Sequence, residues 1–244
     1  MANIGFTTGC LYRSDIPFEE RIRLYHSLGA DAVELSFATP DELLRYSLSG
    51  QGEGDIKKYA SISIHAPWKE VRYDSGRAAD DMIEKLRYLC ERLPVNGIVL
   101  HPDTIGDFKK LDESGLPFLL ENMDKRKKYG THPEEFEELR ARYNFGFVLD
   151  TQHAYEHDLT MQLARELIEV MGDRLKHMHV SGHTESEIHV PAHLAANKGA
   201  VTEILELGVG VPKILEGILL KDIEETIKNE LRYVRNHENM PDKI

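Results

Sequence analysis

The densest concentration of metal-ligating side chains in this chain lies between Lys176 and His193, in the sequence KHMHVSGHTESEIHVPAH. Neutral imidazole nitrogens and carboxylate oxygens are donors that divalent metals bind in proteins. A solvated, histidine-rich loop would have the same composition, so the stretch alone leaves both interpretations open. The side chains concerned are His177, His179, His183, His189, His193, Glu185 and Glu187.

Six short apolar runs, five of them outside this stretch, end in, or just before, a side chain of the same kind. A single histidine at such a position is usually a structural residue, and Asp150 could simply cap the helix that follows it. A carboxylate after an apolar run, as at Glu121 and Glu216, costs several kcal/mol to bury unless a cation or a donor compensates it. The six ends carry His65, His101, Glu121, Asp150 with His153, His179 and Glu216.

These runs belong to a regular alternation of predicted strands and helices. Helical patterns such as FEERIRLYHSLGAD and RAADDMIEKLRYLCERL separate most of the strands, which is typical of parallel βα units. Eight units in 244 residues predict one (β/α)₈ TIM barrel over residues 1–244. The alternative is a doubly wound open sheet, but GFTTG after the first run is not its GxGxxG turn. The predicted strands are Ile4–Thr8, Ala32–Phe37, Ile62–His65, Gly97–His101, Phe118–Glu121, Phe145–Asp150, Leu175–Val180 and Lys213–Glu216.

The barrel prediction gives the polar strand ends a common location. In a TIM barrel the carboxyl ends of all strands meet on one face, so the six ligand-bearing ends are expected within a few ångströms of one another. Six such coincidences on one face are improbable for structural residues alone. We therefore expect a metal site at the C-terminal ends of the strands.

Composition narrows the class of protein. The only interruptions of the pattern are a polar patch at 47–54 and the basic sequence DKRKKYG at 124–130, which favours one domain. Two cysteines and the lack of a leader pattern or a run of eighteen apolar residues indicate a cytoplasmic protein that does not enter a membrane. A net charge of −12 argues against broad electrostatic adhesion to nucleic acid, although it leaves room for a local cationic site.

An ordered set of short motifs resembles the xylose-isomerase-like TIM-barrel superfamily, and within it most closely the endonuclease IV branch (AP endonuclease family 2). LDTxH is shared with sugar epimerases, whereas the complete set is specific, and it covers nearly the whole chain. The motifs are IHAPW at 64–68, LHP at 100–102, LLEN at 119–122, LDTQHA at 149–154, HMHVSG at 177–182, EIHVP at 187–191 and ILEG at 214–217.

The resemblance implies two or three clustered zinc ions, carried over residue by residue. One ion would be held by His65, His101 and Glu121; a second by Glu121, as a bridge, with Asp150, His179 and Glu216; a third by His153, Glu187 and His189. The main departure is Glu187, where the family normally has Asp, so His183 or His193 could take its place.

The implied activity is hydrolysis of a phosphodiester, with damaged, abasic DNA as one candidate substrate. Two divalent ions can share a hydroxide that is nucleophilic at neutral pH, while a third neutralises the leaving oxygen. In this scheme Glu121 is the catalytic residue that holds the pair and can accept a proton.

Four residues are assigned to substrate binding. Trp68 could stack on a base or sugar, or equally cover the pocket as a rim residue. Lys125 and Arg126 could hold phosphates or belong to a solvated loop, and Asn122 follows Glu121 directly. Two departures count against DNA: the second loop, FATPDELL, has no Arg, and the chain is shorter than typical endonuclease IV proteins.

The alternative function is a sugar or sugar-phosphate isomerase or epimerase of the same superfamily. It would hold one manganese or magnesium ion between Glu121, Asp150, His179 and Glu216, with the two glutamates moving protons at adjacent carbons. Such an enzyme has no need of His65 and His101 as ligands, so the full histidine set favours the hydrolase. A third hypothesis is a metal-binding but catalytically silent protein, which would keep its interactions when Glu121 is replaced by Gln.

Overall fold

Eight parallel strands close into a barrel in the computed structural model of the chain, which describes residues 2–208 and 210–238. Each strand pairs with the next along the chain, and the last pairs with both its predecessor and β1. The TIM-barrel prediction is thus confirmed; of the expected domain 1–244, positions 1, 209 and 239–244 lie outside the described residues. The barrel strands are β1 (Ile4–Thr7), β2 (Ala32–Ser36), β3 (Ser61–His65), β4 (Gly97–Leu100), β5 (Phe118–Glu121), β6 (Gly146–Asp150), β7 (Leu175–Val180) and β10 (Lys213–Leu215).

Helices lie between the strands and cover the outside of the barrel. Two very short antiparallel strands, β8 (Gly182–His183) and β9 (Ile188–Val190), form a hairpin between β7 and the helix that precedes β10. No helix among residues 2–208 and 210–238 combines the length and the apolar character needed to cross a membrane. The helices are α1 (Phe18–Ser27), α2 (Pro40–Arg45), α3 (Gly50–Ile56), α4 (Arg77–Arg92), α5 (Phe108–Glu113), α6 (Pro133–Arg142), α7 (Thr151–His157), α8 (Gln162–Met171), α9 (Lys198–Leu207) and α10 (Ile223–Glu238).

Alternation along each strand decides which side chains face the barrel interior. In β3, Ile62 and Ile64 join the main apolar core between barrel and helices, while Ser63 and His65 contact carboxylates of other strands inside the barrel. The same parity applies around the ring, because successive strand residues point to opposite faces. All six strand-end ligands therefore point inward.

A small apolar layer inside the barrel is centred on Leu119, which lies between Gly97 and Gly146. Leu119 packs with Val99 and Val148 in a small apolar cluster that is separate from the main core. A Cβ at Gly97 or Gly146 would lie 2.2 Å or 2.5 Å from the Leu119 side chain, so only glycine leaves room for it. This layer supports the polar residues above it.

The polar patch at 47–54, predicted as an interruption, contains the start of α3. Ser49 caps this helix by accepting a hydrogen bond from the Gly52 N–H, and Ile56 at its end is fully buried. Glycines at 50, 52 and 54 give the segment poor helix propensity, which hid it in the sequence. The cap and the burial of Ile56 outweigh that propensity.

Candidate metal centre

Glu121 lies at the middle of the barrel mouth, with histidines on both sides of its carboxylate. Oε2 is 3.3 Å from Nε2 of His65 and 3.2 Å from Nε2 of His101. Oε1 is 3.0 Å from Nδ1 of His179 and 3.6 Å from Nδ1 of His153. The two oxygens of one buried carboxylate therefore face two different sets of nitrogen donors.

A second group of donors surrounds the Oε1 side of Glu121. Glu121, Asp150, His179 and Glu216 each offer a ligand atom, and these atoms lie within 4.8 Å of one another. His65, Glu121 and His179 form another such group around the same carboxylate. The structure thus groups the four residues expected for the second ion. Of those expected for the first ion, His65 and Glu121 share a group, while His101 contacts Glu121 but joins no such group in the described residues.

The hydrogen bonds of two histidines indicate which of their ring nitrogens keeps a lone pair. Nδ1 of His65 lies 3.0 Å from the carbonyl oxygen of Ala66, and Nδ1 of His153 lies 2.8 Å from that of Asn122. A ring nitrogen must carry its proton to bond a carbonyl oxygen, so in the neutral ring Nε2 keeps a lone pair. For His65 that lone pair faces the Glu121 oxygen, an arrangement of two acceptors that a cation between them would stabilise.

Asp150 has both roles that its position suggested. Its Oδ1 accepts the N–H of His153 at 2.8 Å and caps α7, as a structural residue would. Its Oδ2 is buried and has no hydrogen-bond partner, and the same is true of Nδ1 of His101. Because buried polar atoms are nearly always paired, a free carboxylate oxygen within a cluster of donors fits a divalent cation.

The ionisation of the buried groups indicates an excess of negative charge. Burial raises the pKa of Glu216 well above its usual value, and although nearby His179 lowers it, Asp150 and Glu121 raise it further. Burial lowers the pKa of His179, but the carboxylates of Glu216, Glu34 and Glu121 outweigh this and raise it well above its usual value. A bound cation would relieve this crowding of carboxylates.

The third predicted set is only partly assembled. The rings of His153 and His189 lie 5.9 Å apart between centroids, and His189 has a left-handed backbone with φ of 53°. Glu187 is exposed and belongs to none of the ligand groups found among the described residues. The role of Glu187 as a ligand therefore stays a prediction.

The two alternative histidines for the third set contact other residues. Nδ1 of His193 lies 2.5 Å from a carboxylate oxygen of Glu230 in α10. Nδ1 of His183 lies 3.4 Å from the Gln152 amide. Neither histidine joins a ligand group in the described residues.

Sequence reasoning missed Glu34 and gave His177 no particular role. Glu34 is fully buried in β2 and lies 3.2 Å from His179 and 3.4 Å from His177. Burial disfavours its charged form, but the two histidines outweigh this and hold the pKa of Glu34 well below its usual value. The available signal was a lone glutamate in the apolar run AVELS, at a position that faces the barrel interior.

An aromatic side chain lies beside the two histidines on the Oε2 side. The Trp68 ring centroid is 4.7 Å from that of His65 and 5.8 Å from that of His101, and the side chain is half-buried. This position suits either stacking on a substrate or covering the pocket, the two roles that the sequence left open.

The other predicted substrate-binding residues follow Glu121 along the chain. Asn122 uses its amide to bond both backbone groups of Asp150, at 3.0 Å and 2.6 Å, and so fixes the end of β6. Arg126 makes two bonds of 2.8 Å to the carboxylate of Asp124, while Lys125 is exposed. Substrate binding by Asn122, Lys125 and Arg126 stays a prediction.

Known proteins with a similar sequence profile or a similar structure have several different activities. The sequence profile of the xylose isomerase-like TIM barrel family matches residues 61–237. No curated protein sequence matches the chain. Endonuclease IV from Thermus thermophilus has a similar structure, with a TM-score of 0.70 and 18% sequence identity over 96% of this chain and 98% of the other.

Two sugar epimerase structures are similar to the same degree. A D-tagatose 3-epimerase-like protein gives a TM-score of 0.68 and 18% identity over 96% of this chain and 98% of the other. D-psicose 3-epimerase from Clostridium cellulolyticum gives 0.67 and 14% over 98% and 100%. At these identities the similarity shows the shared fold, and the choice of reaction depends on the site itself.

Proposed function

The chain belongs to the xylose isomerase-like TIM barrel family, and from this premise we propose that it is a metal-dependent phosphoesterase similar to endonuclease IV. The observation that supports this most strongly is the position of Glu121. Its two oxygens face separate donor sets, with His65 and His101 on one side and His179 on the other. A carboxylate in this position could help to hold two divalent ions, which would together supply the activated water for phosphoester hydrolysis.

The residues proposed to hold the ions lie around the two carboxylate oxygens of Glu121. His65, His101 and Glu121 form one set, and Glu121, Asp150, His179 and Glu216 form the other; His153 and His189 are the candidates for a third. When bound, zinc ions lower the pKa of water and neutralise charge on the oxygens of a phosphodiester.

Three further residues position a ligand oxygen or lie at the edge of the site. Asn122 holds the backbone of Asp150, so that Oδ2 points into the centre while Oδ1 is occupied by the N–H of His153. The Trp68 ring packs edge-to-face against that of His65, where it can stack on a substrate or cover the pocket. Lys125 places an exposed cation just after Glu121, where it can attract a phosphate group; damaged DNA is the candidate substrate with the most such groups.

Metal content and hydrolysis together test the proposal. Protein purified without chelator or nickel resin should contain two to three zinc ions per chain, and should cleave bis-p-nitrophenyl phosphate or an abasic-site duplex. Glu121→Gln should lose turnover while it stays folded, whereas Glu185→Gln, an exposed change in the histidine-rich stretch, should keep it. A wild-type protein loaded with zinc that cleaves no phosphodiester would contradict the proposal.

One observation favours a second candidate, a sugar or sugar-phosphate isomerase or epimerase. The largest ligand group in the described residues is the set Glu121, Asp150, His179 and Glu216, which would suffice for one manganese or magnesium ion. In that case the purified protein should contain one ion per chain and interconvert ketoses. His65 and His101 could then be replaced without loss of the ion.

A further inference from the structure

A layer of buried polar side chains lies inside the barrel beneath the metal centre. Glu34 faces inward from β2, between Val33 and Leu35, which pack in the main apolar core. Its Oε2 accepts a hydrogen bond of 2.8 Å from the hydroxyl of Ser63. Because β2 and β7 are not neighbours in the barrel, the contact of Glu34 with His179 crosses the barrel interior.

The two ring nitrogens of His179 face opposite partners. Nδ1 lies 3.0 Å from Oε1 of Glu121 and 3.4 Å from Oε1 of Glu216, within the proposed metal centre. Nε2 lies 3.2 Å from Oε2 of Glu34, away from that centre. A histidine that binds a metal through one nitrogen usually donates the N–H of the other to a carboxylate or carbonyl, which fixes the ring.

We infer that Glu34 is a positioning residue for the metal centre: it accepts the Nε2–H of His179 and so fixes the ring with the Nδ1 lone pair toward the ions. This inference rests on the proposed metal-dependent function. Glu34 acts through His179 and contacts neither the ions nor the substrate. Nε2 of His177 lies 3.4 Å from the same oxygen and 3.2 Å from Nε2 of His179, where its lone pair or its proton can complete the cluster.

The same three side chains could themselves be taken for a metal site, since Glu34, His177 and His179 offer ligand atoms within 4.8 Å. An ion there would require His179 to give up both ring protons, because its other nitrogen already faces the main centre. A hydrogen bond requires only one proton on the ring and uses the oxygen that Ser63 already contacts. The positioning role therefore accounts for the cluster with no further ion.

Zinc affinity of a charge-removing variant tests the inference without any activity assay. In competition titrations with a chromophoric chelator, Glu34→Gln should weaken the tightest zinc site by about 10- to 100-fold, the usual effect of losing such a partner. The matched control is Asp55→Asn, which changes another buried carboxylate that pairs with Arg23 and Lys58 and contacts none of the strand-end ligands. This control should keep the wild-type dissociation constant.

A spectroscopic measurement separates positioning from a general loss of stability. In the zinc-loaded wild type, ¹H–¹⁵N spectra should show a slowly exchanging imidazole N–H for His179, and in Glu34→Gln this signal should shift upfield or vanish. If Glu34→Gln does not fold, Glu34→Asp is the alternative variant. Its shorter side chain keeps the negative charge but places the carboxylate farther from His179, so zinc affinity should fall less than in Glu34→Gln.

The outcomes distinguish this inference from the proposed function. A wild type that binds no divalent metal would overturn both. Equal affinity in wild type and Glu34→Gln, or a wild type that holds one ion more than Glu34→Gln at saturation, would overturn the positioning role alone. Reduced affinity in Glu34→Gln would support it even if no phosphodiester proves to be a substrate.

Discussion

The two carboxylate oxygens of Asp150 have different contacts, and two substitutions can distinguish the role of each oxygen. One oxygen caps α7 through the N–H of His153, and the other is buried without a hydrogen-bond partner, 3.7 Å from Nδ1 of His153. Asparagine is as good an N-cap as aspartate but lacks the negative charge, whereas alanine provides neither. The cap belongs to the fold and the free oxygen to the metal centre.

We therefore expect Asp150→Asn to leave the stability of the chelated protein nearly unchanged while zinc affinity falls at least tenfold. Asp150→Ala should lose the same affinity and, in addition, about 1 kcal/mol of stability, because the cap is lost. Thermal unfolding with EDTA measures the cap, and chelator competition measures the ligand. Equal zinc affinity in Asp150→Asn and wild type would remove Asp150 from the ligand set.

A second residue-scale prediction concerns the pH dependence contributed by Asp124. Burial raises its pKa, but hydrogen bonds from Arg126 outweigh this and lower it from 3.8 to about 2. A carboxyl whose pKa is depressed on folding stabilises the folded state above its unfolded pKa and loses that contribution as the pH falls through the folded value. The stabilisation should thus be complete above about pH 4 and disappear toward pH 2.

Replacing Asp124 with Asn should remove this dependence. The melting temperatures of wild type and Asp124→Asn should differ most at neutral pH and converge between pH 4 and pH 2. A constant difference over that interval would show that Asp124 keeps its ordinary pKa in the folded protein.

At the scale of single residues, the sequence was informative wherever a ligand ended an apolar run. Glu121 and Asp150 could be found because an ionisable side chain there needs a partner. Glu34 was missed because its partners, His177 and His179, come from a strand more than 140 residues away. Glu187 looked equivalent to its neighbours in sequence, and only the hairpin geometry shows that it is exposed.

At the scale of elements, α10 holds the histidine-rich connection onto the barrel. The buried carboxylate of Glu230 accepts the N–H groups of Ala192 and His193 at 2.6 Å and 3.0 Å, besides the contact with the His193 ring. A buried carboxylate with three donors ties the end of the hairpin segment to a helix that also packs on β1. The segment that carries His189 is thereby held in place by α10.

Glu230→Gln should loosen this segment without opening the barrel. We expect faster amide hydrogen exchange at residues 191–195 and unchanged protection in β3 to β6, because hydrogen bonds of charged groups contribute about 1.5–3 kcal/mol each. Hydrogen exchange with mass spectrometry provides the test. Faster exchange throughout the barrel strands would show that Glu230 supports global stability and not one connection.

Most elements could be predicted because apolar runs and helical periodicity agree with the tertiary structure. The strands differ from their expected bounds by only a residue or so, as for Gly97–His101, observed as Gly97–Leu100. The β8–β9 hairpin and α3 were not predicted; the glycine-rich sequence of α3 is held helical by its cap and by burial of Ile56. Local propensity gives no sign of such tertiary support.

At the scale of the whole molecule, metal binding and folding should be linked through protons. The pKa values of His179 and Glu216 are both raised, mainly by neighbouring carboxylates for His179 and by burial for Glu216, so these groups hold their protons to higher pH than usual and a cation has to compete with those protons. Metal affinity should therefore increase as the pH rises. At a free zinc concentration of about 100 times the dissociation constant, the folded state gains about 2.7 kcal/mol.

Zinc should accordingly raise the melting temperature more at pH 8 than at pH 6, with the EDTA-treated protein as reference at each pH. Calorimetric titration in buffers of different ionisation enthalpy should show proton release on binding. A zinc-induced shift that is equal at both pH values would contradict the linkage.

β1 and β10, the first and last of the described barrel strands in chain order, pair with each other, with Ile4 beside Lys213. During synthesis the candidate ligands leave the ribosome in sequence order, from His65 to Glu216. Because β10 pairs with β1, the barrel cannot close until β10 has emerged. A chain terminated before that strand would lack both Glu216 and the strand that completes the ring. The proposed metal centre can therefore be complete only in a chain that includes β10, and a translation product truncated before β10 should fail to retain metal ions.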